Sequence, residues 1–161
     1  MSKIDSRVFT PDKIGPIEIK NRTIRASAYE GMAEGHTPTK QLIDYHTSVA
    51  RGGIGMTSVA YAAVSKSGLS FHRQLWMREE IIPQLRELTD SIHQGGAKAC
   101  IQLGHCGNMS HRRYCGCRPV GASGGFNLYS PTFVHGLKKD EILEIVKDYG
   151  NAVRIARKGG F

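Results

Sequence analysis

No apolar run in the 161 residues approaches the roughly 18 needed to span a bilayer, so no membrane helix is expected. The first residues, Met1-Ser2-Lys3-Ile4-Asp5-Ser6-Arg7, lack the apolar core of a signal peptide. Cysteine is absent before position 100. The four present, Cys100, Cys106, Cys115 and Cys117, come without a secretory signal, which argues against a disulfide framework. A cytoplasmic setting is therefore the expectation. Cys100, inside an apolar run, reads as a small buried hydrophobe. Internal repeats, low-complexity tracts and linkers are also missing, which leaves one domain or part of one. Acids are in the minority: 14 Asp and Glu against 22 Lys and Arg give a net charge of +8. That balance raises the question of a nucleic-acid or anionic partner. No Lys/Arg run exceeds two and no aromatic platform accompanies the basic residues. Nucleic acid is therefore not expected as a partner, and the excess reads as a scattered, solvated exterior.

What is present is a regular alternation. Phe9 to Asn21 reads as a hairpin turning at Gly15-Pro16, with Ile17 and Ile19 alternating with charged residues. Arg22 to Ala28 reads as a first strand. Thr37-Pro38 has the form of a helix start, with Thr37 as N-cap, for a helix over about 39–51 with Leu42, Tyr45, His46 and Val49 on one stripe. Residues 54–60 form a second strand and Tyr61–Arg78 a long connection. A second helix runs over about 80–94, with Pro83 in its first turn and Leu85, Leu88 and Ile92 as its stripe. Residues 97–103 form a third strand, followed by an irregular stretch from Gly104 to Leu137. The third helix, about 139–158, carries Ile142, Ile145, Val146, Tyr149, Val153 and Ala156 on one face. Gly-Gly follows every helix, where a left-handed residue is wanted.

Strands alternating with helices imply a parallel sheet covered by helices. Right-handed crossovers bring the three strand C-termini to one edge, where ligand chemistry belongs in open sheets and barrels alike. Three clusters converge there: Ala26-Ser27-Ala28-Tyr29-Glu30, Ala60-Tyr61, and Gln102-Leu103-Gly104-His105. Small residues at strand ends let a flat ligand approach the backbone. Gln102 offers both a donor and an acceptor, suited either to a heterocycle edge or to loose loop backbone.

Several stretches together resemble the Old Yellow Enzyme family of FMN-dependent oxidoreductases. They are Phe9-Thr10-Pro11 with Ile14-Gly15, Ile19 to Arg22, Arg25 to Ala33, Ala50 to Gly55, Leu88 to His93, Gln102 to Gly107, and Lys139 to Ile142. The run Arg25-Ala26-Ser27-Ala28-Tyr29-Glu30-Gly31-Met32 is most similar to bacterial NADH:flavin oxidoreductases. The resemblance implies a (β/α)8 TIM barrel, α/β in class, with FMN at the strand C-termini. Residues 1–21 would be an N-terminal hairpin flap and 22–161 the first three βα units of a truncated barrel. It implies reduction of an activated C=C bond in a small-molecule substrate (an enal, enone or dienoyl thioester) with NADH or NADPH. Position by position it places Ser27, Ala28 and Tyr29 along the flavin. It brings Ala60 against the flavin through backbone and sets Gln102 at the isoalloxazine edge. Gly104 and His105 fall on the substrate side.

The departures carry expectations too. Tyr29 or Ala28 stands where the family presents Thr, Cys or His at the flavin O4/N5 edge, which bears on redox potential. Gly104 stands where many members have Trp, implying a wider substrate pocket. Lys138 replaces the usual N-cap of the third helix and cannot accept its N–H, a loss of order 1 kcal/mol. The family's carbonyl-binding pair and proton-donating Tyr would lie beyond Phe161, so no catalytic residue is assigned here. The polypeptide alone is expected neither to bind FMN tightly nor to turn over, and a folded half-barrel would have to pair with another copy to cover its edges.

A metal module is the rival reading. His105, Cys106, His111, Cys115 and Cys117 crowd into thirteen residues, and thiolate and imidazole are zinc ligands. The spacing is CxC rather than CxxC, with no second pair at finger distance, so no metal is assigned. A truncated, non-catalytic relative is a third reading. The neighbouring Arg112, Arg113 and Arg118 are expected near the barrel mouth, where an anionic substrate or nicotinamide phosphates would meet them.

Overall fold

The computed structural model describes residues 7–128 and 131–161. The start of the expected flap, and most of the segment read for a signal peptide, lie outside the described residues. The hairpin forms as expected: β1 (Asp12–Ile14) pairs antiparallel with β2 (Ile17–Ile19), Ile14 opposite Ile17. Of its residues only Ile19 is buried.

β3 (Ile24–Arg25) is shorter than expected, and Ala26–Ala28 leave the sheet. Side chains replace the ladder there. The Arg25 guanidinium donates to Ser58 O at 2.8 Å, and the Ser27 hydroxyl reaches Val59 O at 3.5 Å. A second hairpin follows, β4 (Ala33–Glu34) against β5 (Thr37–Pro38). Its two turn residues, Gly35 and His36, both have positive φ, which suits the right-handed twist of tightly joined strands. Thr37-Pro38 is thus strand, not helix start. The N-cap of α1 (Lys40–Arg51) is Thr39, whose Oγ1 accepts from Leu42 N at 3.3 Å and donates to Met32 O. The buried face of α1 is Leu42, Ile43, His46 and Ala50, while Tyr45 and Val49 are half-buried.

β6 (Met56–Ala63) is the centre of a parallel sheet, flanked by β3 and by β7 (Lys98–Gly104). It runs further than expected, through an irregularity between Val59 and Ala62 where its register with β7 shifts. Between these strands lies α2 (Ile82–Gln94), with Pro83 in its first turn and Leu85, Leu88 and Ile92 fully buried. The stretch after β7 is not irregular. It holds α3 (Arg112–Cys115) and a small sheet. There β10 (Thr132–Gly136) pairs parallel with β8 (Val120–Gly121) and antiparallel with β9 (Gly125–Asn127). These strands lack alternation because backbone contact holds them: a Cβ on Gly136 would fall 2.6 Å from Gly124 N.

α4 (Lys139–Lys158) closes the chain. The Lys138 side chain gives no cap, but the Glu141 carboxylate accepts from the Lys138 N–H at 2.7 Å and bonds His135 at 2.9 Å. Only Ala152, Ile155 and Ala156 of α4 are buried; Ile142, Val146, Tyr149 and Val153 of the expected face are exposed. The ends of α1, α2 and α4 share one device. Gly52, Gly95 and Gly159 continue the helical turn, then Gly53, Gly96 and Gly160 take positive φ.

α1, α2 and α4 contribute buried side chains to a single core with one face of the sheet. Val59 and Ala62 of β6 point into it, and Ala99, Ile101 and Leu103 of β7 pack against it. By alternation Lys98, Cys100, Gln102 and Gly104 belong to the opposite, open face of β7. Cys100 is accordingly half-buried, and the buried thiol is Cys115.

Candidate functional site at the strand C-termini

The sequence after β3 is pinned by a buried carboxylate. The Glu30 side chain, only 5% exposed, receives the Ala60 N–H at 3.2 Å on both oxygens and pairs with Arg25 Nη1 at 3.1 Å. His46 Nε2, from α1, stands 3.2 Å from Glu30 Oε1, close enough for pairing though not aligned as a hydrogen bond. Nδ1 of that ring shares a 2.9 Å hydrogen bond with the Thr57 hydroxyl. Arg25 also donates to Tyr45 OH at 3.1 Å and lies over its ring. Burial would raise the Glu30 carboxyl, but contact with His46 and the Ala60 N–H outweigh it and hold the group below the usual carboxylate range.

The bonding of Ala60 to Glu30 falls where the β6 register shifts, the usual role of a bulge beside a site. Tyr61 follows. Its hydroxyl hydrogen-bonds the Cys106 thiol, and its ring lies against Gly104. Burial and the Cys106 thiol push the Tyr61 phenol well up, with the Gln74 amide opposing. Gln74 itself is buried. Its Oε1 accepts from the backbone of Ser70 and Phe71, which leaves its Nε2 facing the Tyr61 hydroxyl, short of ideal hydrogen-bond geometry. It lines a narrow crevice with Tyr29, Ala60, Tyr61 and Arg73.

The sequence-derived residues fall as follows. Ser27, Ala28 and Tyr29 lie just past β3, and Ala60 in the shifted stretch of β6, its N–H already taken by Glu30. Tyr29 is exposed and stacks on Phe71 at 4.6 Å between ring centroids. Burial raises its phenol, opposed by the Arg73 backbone N–H and charge. Gln102 is exposed on the open face of β7, and among the described residues its carboxamide has no hydrogen-bond partner. His105 has both ring nitrogens engaged. Nδ1 accepts from Gly107 N at 2.9 Å, so Nε2 carries the proton and donates to Ser67 Oγ at 3.0 Å. Burial lowers its pKa. The space that Gly104 opens is taken by the Tyr61 ring, so the wider pocket expected there is not present.

The loop read as a rival metal module does not converge: among the described residues no three His, Cys, Asp or Glu groups could hold an ion. The Cys115 thiol donates to Cys117 O at 3.2 Å, and burial pushes the Cys117 thiol up to about 11. Sequence reasoning missed the Glu30–Arg25–His46 cluster. Its one signal was a His inside an apolar helical stripe.

The donor set fits a flavin edge. An exposed carboxamide without a hydrogen-bond partner among the described residues stands on a strand at this edge. The profile of the NADH:flavin oxidoreductase / NADH oxidase family matches residues 7–161. The chain is 34% identical over 154 residues to the 4,4'-dithiodibutanoate disulfide reductase of Rhodococcus erythropolis, covering 96% of this chain and 38% of that protein. It is 29% identical over 160 residues to the NADPH dehydrogenase of Listeria welshimeri, covering 97% of this chain and 46% of that one. The solved Old Yellow Enzyme homologue from Zymomonas mobilis superposes with a TM-score of 0.87 at 26% identity, over 97% of this chain and 46% of that one. The chain thus spans less than half the length of these relatives, and its fold is that of a portion of their α/β barrel.

Proposed function

We propose, because the chain belongs to the NADH:flavin oxidoreductase / NADH oxidase family, that it forms the flavin-facing strand edge of an FMN-dependent oxidoreductase. The acceptor is an activated C=C bond in an enal, enone or dienoyl thioester, and the reductant NADH or NADPH. The observation that carries this reading is Gln102: an exposed amide with donor and acceptor both available, fixed on the open face of β7.

When bound, a flavin would supply the hydride chemistry that links nicotinamide and acceptor. Gln102 orients the ring edge. Ser27 and Ala28 admit it closely, since neither has a bulky side chain. Ala60 has no free N–H to offer and contributes its small volume. Glu30 is a positioning residue: it ties the segment after β3 to β6 and so fixes where Ser27 to Tyr29 stand. Tyr29, with the Arg73 charge nearby, sets the polarity of that edge. The hairpin within residues 1–21 serves as a flap and residues 22–161 as three βα units.

Anaerobic titration of the flavin-loaded protein, in the form its own cells produce, with NADH and NADPH, then with an enone, tests this. Bleaching by the nicotinamide and recovery with the enone are expected. A bleached flavin that a disulfide reoxidises and an enone does not would contradict the C=C assignment.

A further inference from the structure

Composition suggested a scattered positive charge, but the fold gathers more than half of it. The two connections that leave the C-terminal edge after β6 and β7, residues 64–81 and 105–138, hold seven Lys and Arg against two acids, Glu79 and Glu80, which lie together at the start of α2. The rest of the chain sets 15 basic residues against 12 acids. Most of the net positive charge therefore sits on the edge of the molecule that carries Gln102 and Tyr29.

The two connections are packed on each other. Cys106 N donates to Gly68 O and His111 N to Leu69 O, both at 3.2 Å, and the Ser70 hydroxyl donates to Met109 O at 2.7 Å. The Tyr114 ring lies 6.2 Å from His72 and 5.3 Å from His111, joining the halves. A Cβ on Gly116 would meet Lys66 Nζ at 3.8 Å, so that amine reaches the end of α3. Three of the seven cations are accounted for elsewhere: Arg78 bonds His36 O, Trp76 O, Gly35 O and Thr37, Arg118 bonds Phe133 O, and Lys138 opens α4 beside Glu141. Lys66, Arg73, Arg112 and Arg113 are exposed, and no ion pair holds them among the described residues. Glu79, Glu80 and Asp148 share a cavity with Lys66, Glu79 being paired with Arg154 and Lys158, while Glu30 is paired with Arg25. Gln74, 1% exposed, lines the same crevice as Arg73, its amide turned to the Tyr61 phenol. Clustered cations over a low-dielectric wall focus the potential at such a mouth and draw anions to it.

We propose that Lys66, Arg73, Arg112 and Arg113 form a rim that binds the anionic group, carboxylate or phosphate, of the electron acceptor itself. The assignment rests on the flavin reading for the identity of the edge.

The test needs neither flavin nor turnover. The purified chain is titrated calorimetrically with glutarate, with its neutral diamide, and with NADH. The account expects glutarate to bind and the diamide not to. Arg112→Glu/Arg113→Glu should weaken glutarate by about tenfold or more with NADH unchanged, and added salt should weaken glutarate likewise. Arg73→Glu, on the other connection, should act in the same direction, which separates loss of charge from disturbance of the short α3. Equal binding of glutarate and diamide would overturn the proposal. So would charge reversal without effect in variants of native circular dichroism, or a loss of NADH affinity equal to that of glutarate. A protein without flavin reductase activity would leave this titration readable and count against the functional assignment alone.

Discussion

The ring of Tyr61 occupies the space that Gly104 leaves open: a Cβ on Gly104 would stand 3.0 Å from Tyr61 Cδ2. The two residues form one packed unit across β6 and β7. The pocket at this point is therefore set by an aromatic residue from the neighbouring strand. Gly104→Trp should destabilise the chain by about 2 kcal/mol through overpacking. Removing the ring as well, in Tyr61→Ala/Gly104→Trp, should recover about 1 kcal/mol. Denaturant unfolding of the four proteins in the cycle checks this; strict additivity would show that the residues do not share space.

Glu30 should dominate the acid limb of stability. Its folded pKa lies below the ordinary glutamate value. Its contribution is therefore complete above that ordinary value, about 4.3, and is lost as pH falls through the folded value. Glu30→Gln should flatten the dependence of the unfolding midpoint on pH in that window. Glu30→Ala, which leaves the half-buried Arg25 without its carboxylate partner, should cost about 2 kcal/mol at neutral pH. Thermal unfolding across pH 3 to 7 measures both. An unchanged slope in Glu30→Gln would show that the carboxylate is not held charged by the fold.

Helix positions were legible because their signals are local. Gly-Gly ends and the Leu85, Leu88 and Ile92 spacing sit within single segments, and all are found where expected. The start of α1 was not legible, because Thr37 belongs to a hairpin held by distant groups: Arg78 donates to Thr37 and to the turn residues Gly35 and His36. The sheet of β8, β9 and β10 was hidden for a similar reason. Its strands are short, glycine-rich and joined by contacts such as that of Gly124 with Gly136. At the site, the exposure of Gln102 could be read from strand alternation. The role of Glu30 could not, since its partners Arg25, His46 and Ala60 come from three separate elements.

The 161-residue polypeptide by itself should neither hold FMN tightly nor oxidise NAD(P)H at a measurable rate. β3 and β7 are both edge strands, and Gln102 and the row Ile142, Val146, Tyr149 and Val153 stand exposed. Such edges and apolar rows favour association with a second copy. Flavin fluorescence quenching should show weak binding, and sedimentation should show concentration-dependent self-association. A monomeric chain carrying stoichiometric flavin would refute this.

The assignment of this strand edge to a flavin is tested most directly by the FMN content of the protein in the form its own cells produce. The comparison is with Gln102→Ala prepared in the same way. The account predicts an equivalent of FMN in the native protein and binding about tenfold weaker in the variant, the cost of one or two neutral hydrogen bonds. A native protein without flavin, or a variant that binds FMN as tightly as the native protein, would contradict it.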